Sequence, residues 1–88
     1  MSEQRIDDIM TLYVKAGCPW CMVAEQYLNN RDYNYKSVEV CRNRAAFDEL
    51  VAVSGQTLAP TLVSGELVLS NFGPDELEDF LKEHNIRP

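Results

Sequence analysis

The 88-residue sequence has few cysteines, one histidine and no long apolar run. Three cysteines are too few for the disulfide framework that holds many small secreted domains together. A structural zinc ion usually needs four ligands, and beyond Cys18 and Cys21 the chain offers only Cys41 and His84. No segment approaches the roughly 18 apolar residues of a membrane-spanning helix. The sequence therefore disfavours a disulfide scaffold, a metal site and a membrane span.

Basic residues are also scarce, at 8 Lys and Arg against 14 Asp and Glu, and the net charge is −6. An acidic chain is poorly suited to nucleic acid or to an anionic membrane surface, so neither is expected as a partner. Residues 1–8 are polar and do not resemble a signal peptide, so we expect a loose tail and a cytoplasmic location. The length predicts a single domain over residues 1–88, which we expect to be a monomer.

Short apolar runs alternate with amphipathic segments along the rest of the chain. The first apolar run is nearly continuous and rich in β-branched residues, which predicts a strand buried on both faces. Ser64 and Gly65 separate two other short apolar runs, which predicts a hairpin, and Pro74 is suited to the first position of a helix. The predicted strands are residues 9–14, 35–40, 61–63 and 66–69, and the predicted helices cover about 19–30, 45–54 and a segment from Pro74.

This order of elements predicts an α/β fold with a mixed sheet. The first two strands are joined through a helix, so they should be parallel with a right-handed crossover, whereas the hairpin strands should be antiparallel. We expect a thioredoxin-like fold: a four-stranded mixed sheet of order 2-1-3-4 with three helices. The segment after the first strand then lies at the sheet edge where open α/β sheets bind ligands.

That segment, KAGCPWC at residues 15–21, contains the most informative motif. Two cysteines three residues apart on a helix share one face, with α-carbons roughly 5 Å apart, a separation that permits a disulfide. Pro19 suits the first helical position and makes Cys18 the cap residue. The helix dipole and Lys15 should lower the pKa of Cys18, whereas Cys21, one turn deeper, should keep a higher pKa. We therefore predict that Cys18 attacks a disulfide and Cys21 resolves the mixed disulfide.

The KAGCPWC motif, a proline opening the third strand and a glycine before the last helix together resemble a dithiol glutaredoxin. The resemblance implies thiol–disulfide exchange with glutathione as a co-substrate, disulfide-containing proteins as partners and no tightly bound cofactor. It also implies a cis peptide bond before Pro60. The residues that it assigns to glutathione binding are Lys15, Trp20, Leu58, Ala59, Pro60, Gly73 and Asp75.

The chain departs from the usual glutaredoxin pattern in its second half. Leu58-Ala59-Pro60 replaces Thr-Val-Pro, Phe72-Gly73 replaces a Gly-Gly pair, and Pro74 has no N–H where the family usually has a donor. Residues 70–75, SNFGPD, instead resemble the Ser-Gly-Phe-x-Pro-Asp stretch of NrdH-type redoxins. Those redoxins take electrons from thioredoxin reductase and supply ribonucleotide reductase, so the electron donor stays open between glutathione and thioredoxin reductase.

An alternative function and the roles of two residues remain to be considered. Some relatives of glutaredoxins carry an iron–sulfur cluster, but their single cysteine is followed by a small residue, and Pro19 and Trp20 disfavour that function here. Cys41 is either a third redox thiol or, as we expect, a small buried hydrophobic residue. Phe72 is either part of the site's rim or a plug beneath the loop.

Overall fold

The computed structural model describes residues 9–88, so the tail predicted for residues 1–8 lies outside the described part of the chain. Every predicted helix and strand is present, and the predicted ends differ from the observed ones by no more than one residue. The strands are β1 (Met10–Val14), β2 (Tyr35–Glu39), β3 (Thr61–Ser64) and β4 (Leu67–Ser70), and the helices are α1 (Pro19–Asn30), α2 (Arg44–Ser54) and α3 (Pro74–Glu83).

The four strands form one mixed sheet of order β2-β1-β3-β4. β1 pairs in parallel with β2 and antiparallel with β3, and β3 pairs antiparallel with β4. Gly65 has a φ of 61°, the left-handed conformation that a tight turn between β3 and β4 requires. The sheet order and the three helices confirm the predicted thioredoxin-like fold.

Apolar side chains cover both faces of the sheet, as predicted from the continuous apolar run of β1. Leu12 on one face joins a main core formed with α1 and α3, whereas Tyr13 on the other face packs with Val40 and with residues of α2. Burying a leucine side chain such as Leu12 stabilises the fold by about 1.5–3 kcal/mol. The main core includes Cys21, Phe72 and the buried face of α3, namely Leu77, Phe80 and Leu81.

The loop between β4 and α3 is held against the sheet at two points. Phe72 is only 4% exposed and lies in the main core, so it is the plug beneath the loop and not part of its rim. The N–H of Asn71 donates to the Pro60 carbonyl at 2.7 Å, with Asn71 in a left-handed conformation. These contacts keep the start of α3 close to the start of β3.

Within residues 9–88, no helix combines the length and the apolar character needed to cross a membrane.

Candidate active site

Cys18 is the N-cap residue of α1, as the position of Pro19 predicted. Its extended backbone (φ −92°, ψ 112°) follows Gly17, whose φ of 77° turns the chain into the helix. The Cys18 Sγ accepts the N–H of Cys21 at 3.2 Å, and the Cys18 N–H donates to the Lys15 carbonyl at 3.3 Å. The first turn of α1 contains no acidic residue. A partly exposed sulfur therefore faces the positive end of the helix without a competing carboxylate in that turn.

Cys21 lies one turn deeper, is 3% exposed and packs in the main core. Burial, together with the hydrogen bond that its thiol donates to Cys18, raises the pKa of Cys21 to about 12. The backbone N–H of Cys21 points to the Cys18 sulfur. The raised pKa agrees with the prediction that Cys21 keeps the higher pKa of the two thiols, whereas the roles of Cys18 as attacking thiol and Cys21 as resolving thiol stay predictions.

Trp20 follows the cap and is 56% exposed on the surface beside the two thiols. Its ring lies against Gly73: a Cβ built on Gly73 would be 3.3 Å from the ring and 3.2 Å from the Glu76 Oε1. The Gly73 N–H also donates to this Glu76 oxygen at 3.0 Å. A side chain at residue 73 would therefore press on Trp20 and Glu76. The Gly73 N–H is already bound to Glu76.

The segment that enters β3 contains the cis Ala59–Pro60 bond implied by the resemblance. Its shape is maintained by the fully buried Thr61, whose hydroxyl donates to the Leu58 carbonyl at 2.7 Å. The side-chain amide of Gln56 in turn donates to that hydroxyl at 3.1 Å. Because the β1–β3 register pairs Tyr13 with Thr61, the Ala59–Pro60 segment lies beside the end of β1.

Lys15, three residues before Cys18, lines an open groove of about 640 Å³. We call this the Lys15 groove, and its other lining residues are Val40, Cys41, Arg42, Arg44 and Phe47. The expectation that Cys41 is a buried hydrophobic residue is wrong: its thiol is exposed, because β2 ends at Glu39 and the chain turns outward before α2. Neither the Lys15 groove nor another groove, of about 760 Å³ at the opposite end of the molecule, is lined by Cys18 or Cys21.

The fold brings most of the predicted site residues to one edge of the sheet. Lys15, Cys18 and Trp20 follow β1, the Leu58–Pro60 segment precedes β3, and Gly73 begins α3 in contact with Trp20. The side chain of Leu58 is exposed (48%), whereas its backbone carbonyl is held by the Thr61 hydroxyl. Asp75 is exposed in the first turn of α3.

This fold, with a CxxC pair on the first helix after β1, defines a thioredoxin-fold redox protein. A family model described as Glutaredoxin matches residues 10–68, so the chain belongs to the glutaredoxin family. An uncharacterized glutaredoxin-like 8.6 kDa protein in a rubredoxin operon of Clostridium pasteurianum is 20% identical over 75 residues, which are 85% of this chain and 100% of the relative.

Two solved structures illustrate the range of similar folds. The NrdH-redoxin from Escherichia coli aligns with a TM-score of 0.68 and 24% identity, over 90% of this chain and 95% of that chain. A buckwheat glutaredoxin solved as a complex with glutathione aligns with a TM-score of 0.67 and 16% identity, over 97% of this chain and 80% of that chain. At these identities the likeness supports the thioredoxin-like fold.

Sequence reasoning missed three residues that support this site. Thr61 and Gln56 were not expected to hold the backbone of Leu58, although a hydroxyl directly after a proline is a local signal for such a contact. Glu39, which binds the backbone of two loops, was included only as a member of the second strand. Its position at the strand end was the one available signal.

Proposed function

We propose that this protein reduces disulfides, including glutathione mixed disulfides, through a dithiol formed by Cys18 and Cys21. The observation that carries the proposal is the arrangement at the start of α1. A partly exposed sulfur accepts the N–H of a buried cysteine that keeps its own proton. Two thiols with different exposure and different hydrogen-bonding roles suit the two successive steps of thiol–disulfide exchange.

In the first step, the Cys18 thiolate attacks one sulfur of the substrate disulfide. An S–S bond forms between Cys18 and that sulfur, the substrate S–S bond breaks, and the other substrate sulfur leaves as a thiolate that takes up a proton. The N–H of Cys21 and the start of α1 stabilise the attacking thiolate before the reaction.

In the second step, Cys21 loses its proton and attacks Cys18, which releases the second substrate thiol and leaves a Cys18–Cys21 disulfide. The substrate gains two electrons and the dithiol loses two. Burial and the hydrogen bond to Cys18 both raise the pKa of Cys21 in the dithiol form. Once Cys18 is bonded to the substrate, its sulfur is a poorer acceptor for that hydrogen bond, so deprotonation of Cys21 becomes easier when it is needed.

Glutathione would bind along the sheet edge next to Cys18. Lys15 would bind a carboxylate, Trp20 would form one wall, and the backbone of Ala59 would pair with the tripeptide. Leu58 and Pro60 would shape that backbone segment, while Gly73 and Asp75 would meet the end that carries the free α-amino group. In this scheme two glutathione molecules would reduce the Cys18–Cys21 disulfide back to the dithiol.

A second candidate for the electron donor, thioredoxin reductase, is favoured by the geometry at the start of α3. The Gly73 N–H is already bound to Glu76, and Pro74 has no N–H, so this helix start has fewer donors for a glutathione carboxylate. An NrdH-type redoxin that supplies ribonucleotide reductase would not need those backbone N–H groups, because it would not bind glutathione.

The donor experiment separates the two schemes. Oxidised protein is mixed with NADPH and either glutathione plus glutathione reductase or thioredoxin reductase, and absorbance follows NADPH consumption. Consumption only in the first mixture supports the glutathione scheme, and consumption only in the second supports the redoxin scheme.

Cysteine variants test the proposal at its centre. Cys18→Ser should abolish reduction of every disulfide, whereas Cys21→Ser should lose reduction of protein disulfides and retain removal of glutathione from mixed disulfides. Cys41→Ser is the matched control, because Cys41 lies outside the proposed dithiol, and it should react like the unaltered protein. Full activity in Cys18→Ser would refute the proposed function.

A further inference from the structure

The Glu39 side chain at the end of β2 joins two loops that are distant in sequence. Its Oε2 accepts the N–H groups of Ala16 at 2.9 Å and Cys41 at 3.0 Å, and its Oε1 accepts the N–H of Arg42 at 3.0 Å. Burial opposes the charged carboxylate, but these three N–H groups lower the pKa of Glu39 below its usual value. The side chain therefore binds both loops as an anion at neutral pH.

The two loops carry basic side chains that line the Lys15 groove. Ala16 directly follows Lys15, and Arg42 provides both an N–H to Glu39 and a side chain to the groove. The first loop also leads into the Cys18 cap, whose N–H donates to the Lys15 carbonyl. A change at Glu39 would therefore alter the spacing of Lys15 and Arg42 without removing either cation.

We propose that Glu39 is a positioning residue that sets the placement of Lys15 relative to Arg42 and thereby the preference for disulfides that carry carboxylates. The inference rests on the proposed function, in which the Cys18 thiolate attacks a disulfide and Lys15 binds a carboxylate. Glu39 acts through the backbone of the two loops, because its own oxygens are occupied by their N–H groups.

The geometry distinguishes two substitutions at this position. In Glu39→Gln the amide oxygen can occupy the place of Oε2, so the Ala16 and Cys41 bonds can persist while the Arg42 N–H faces an NH₂ group. Glu39→Ala removes all three acceptors. Glu78→Gln is the matched control, since Glu78 pairs with Lys82 on the surface of α3. Amide hydrogen exchange should show lost protection only at Arg42 in the first variant, at all three amides in the second and at none of them in the control.

The functional readout is the rate at which each reduced protein reacts with two small disulfides. Oxidised glutathione carries carboxylates, and hydroxyethyl disulfide is uncharged; Trp20, the single tryptophan, provides a fluorescence signal beside the thiols. The quantity compared is the rate constant for oxidised glutathione divided by the rate constant for hydroxyethyl disulfide. We expect Glu39→Ala to lower this ratio by about tenfold, the loss that corresponds to one weakened charge-assisted contact. Glu39→Gln should lower the ratio less, and Glu78→Gln should leave it unchanged.

A merely structural role for Glu39 makes a different prediction. General loosening of the fold would slow both reactions equally, so an unchanged ratio in Glu39→Ala would overturn the inference, whether or not the absolute rates fall. An unaltered protein that reacts with neither disulfide would instead refute the proposed function itself. The two failures are therefore distinguishable in one set of measurements.

Discussion

The difference between Cys18 and Cys21 can be tested directly by alkylation of the reduced protein. The pKa of Cys21 is raised from 9.0 to about 12, mainly by burial. At about pH 8 this change lowers the thiolate fraction of a thiol from about 0.1 to about 10⁻⁴, which is about a thousandfold. Because the thiolate is the species that reacts, Cys21 should be alkylated about a thousandfold more slowly than an ordinary exposed thiol.

Iodoacetamide labelling followed by mass-spectrometric peptide mapping measures the rate at each cysteine in one sample. Cys41 is exposed and serves as the internal reference, and Cys18 should be labelled before Cys21. In concentrated urea the protection of Cys21 should disappear, because it depends on the fold. If Cys21 in the folded protein were labelled as fast as Cys41, the argument that burial keeps its proton in place would be refuted.

Three further predictions concern the fold around the site. Thr61→Val leaves the Leu58 carbonyl without its hydroxyl partner, so the free energy of unfolding measured by urea titration should fall by about 1–3 kcal/mol. Thr61→Ser keeps the hydroxyl and should lose less stability. Equal losses in the two variants would rule out this hydrogen bond as the cause. Phe72→Ala should cost about 3–5 kcal/mol because it empties a core position, whereas a loss below about 1 kcal/mol is what an exposed rim residue would give. Burial, with a smaller effect of Glu49, raises the pKa of Tyr13 from 10.0 to about 12, so the neutral phenol stabilises the fold below about pH 10 and this stabilisation disappears as pH rises to about 12. Tyr13→Phe should therefore lose less stability than the unaltered protein over that range of pH, and parallel pH profiles would contradict the assignment.

The helices and strands could be predicted because their signals lie among neighbouring residues. The apolar run of β1, the hairpin signal at Gly65 and the prolines at two helix starts each depend on a few adjacent side chains. Cys18 and Cys21 belong to the same class of signal: a cap residue, a proline and a second thiol one turn later define their geometry locally. The cis bond before Pro60 was implied only by the resemblance to glutaredoxins.

Other features depend on distant segments and could not be predicted. The exposure of Cys41 follows from where β2 ends and how the next loop turns, and the burial of Phe72 follows from packing between the sheet and α3. Glu39 illustrates the limit most clearly: one of its partners, Ala16, is 23 residues away in sequence. No spacing rule within either segment connects them.

Local patterns in the chain were enough to predict the order of elements and the CxxC pair, since each of these depends on a few neighbouring residues, and the order of elements then predicted the fold through the general rules for connecting strands. The folded chain alone decided that Cys41 is open to solvent, that Phe72 is a core residue and that Glu39 connects two loops at the site. Burial and hydrogen bonding between loops depend on which distant segments meet, and that meeting is a property of the assembled sheet and helices.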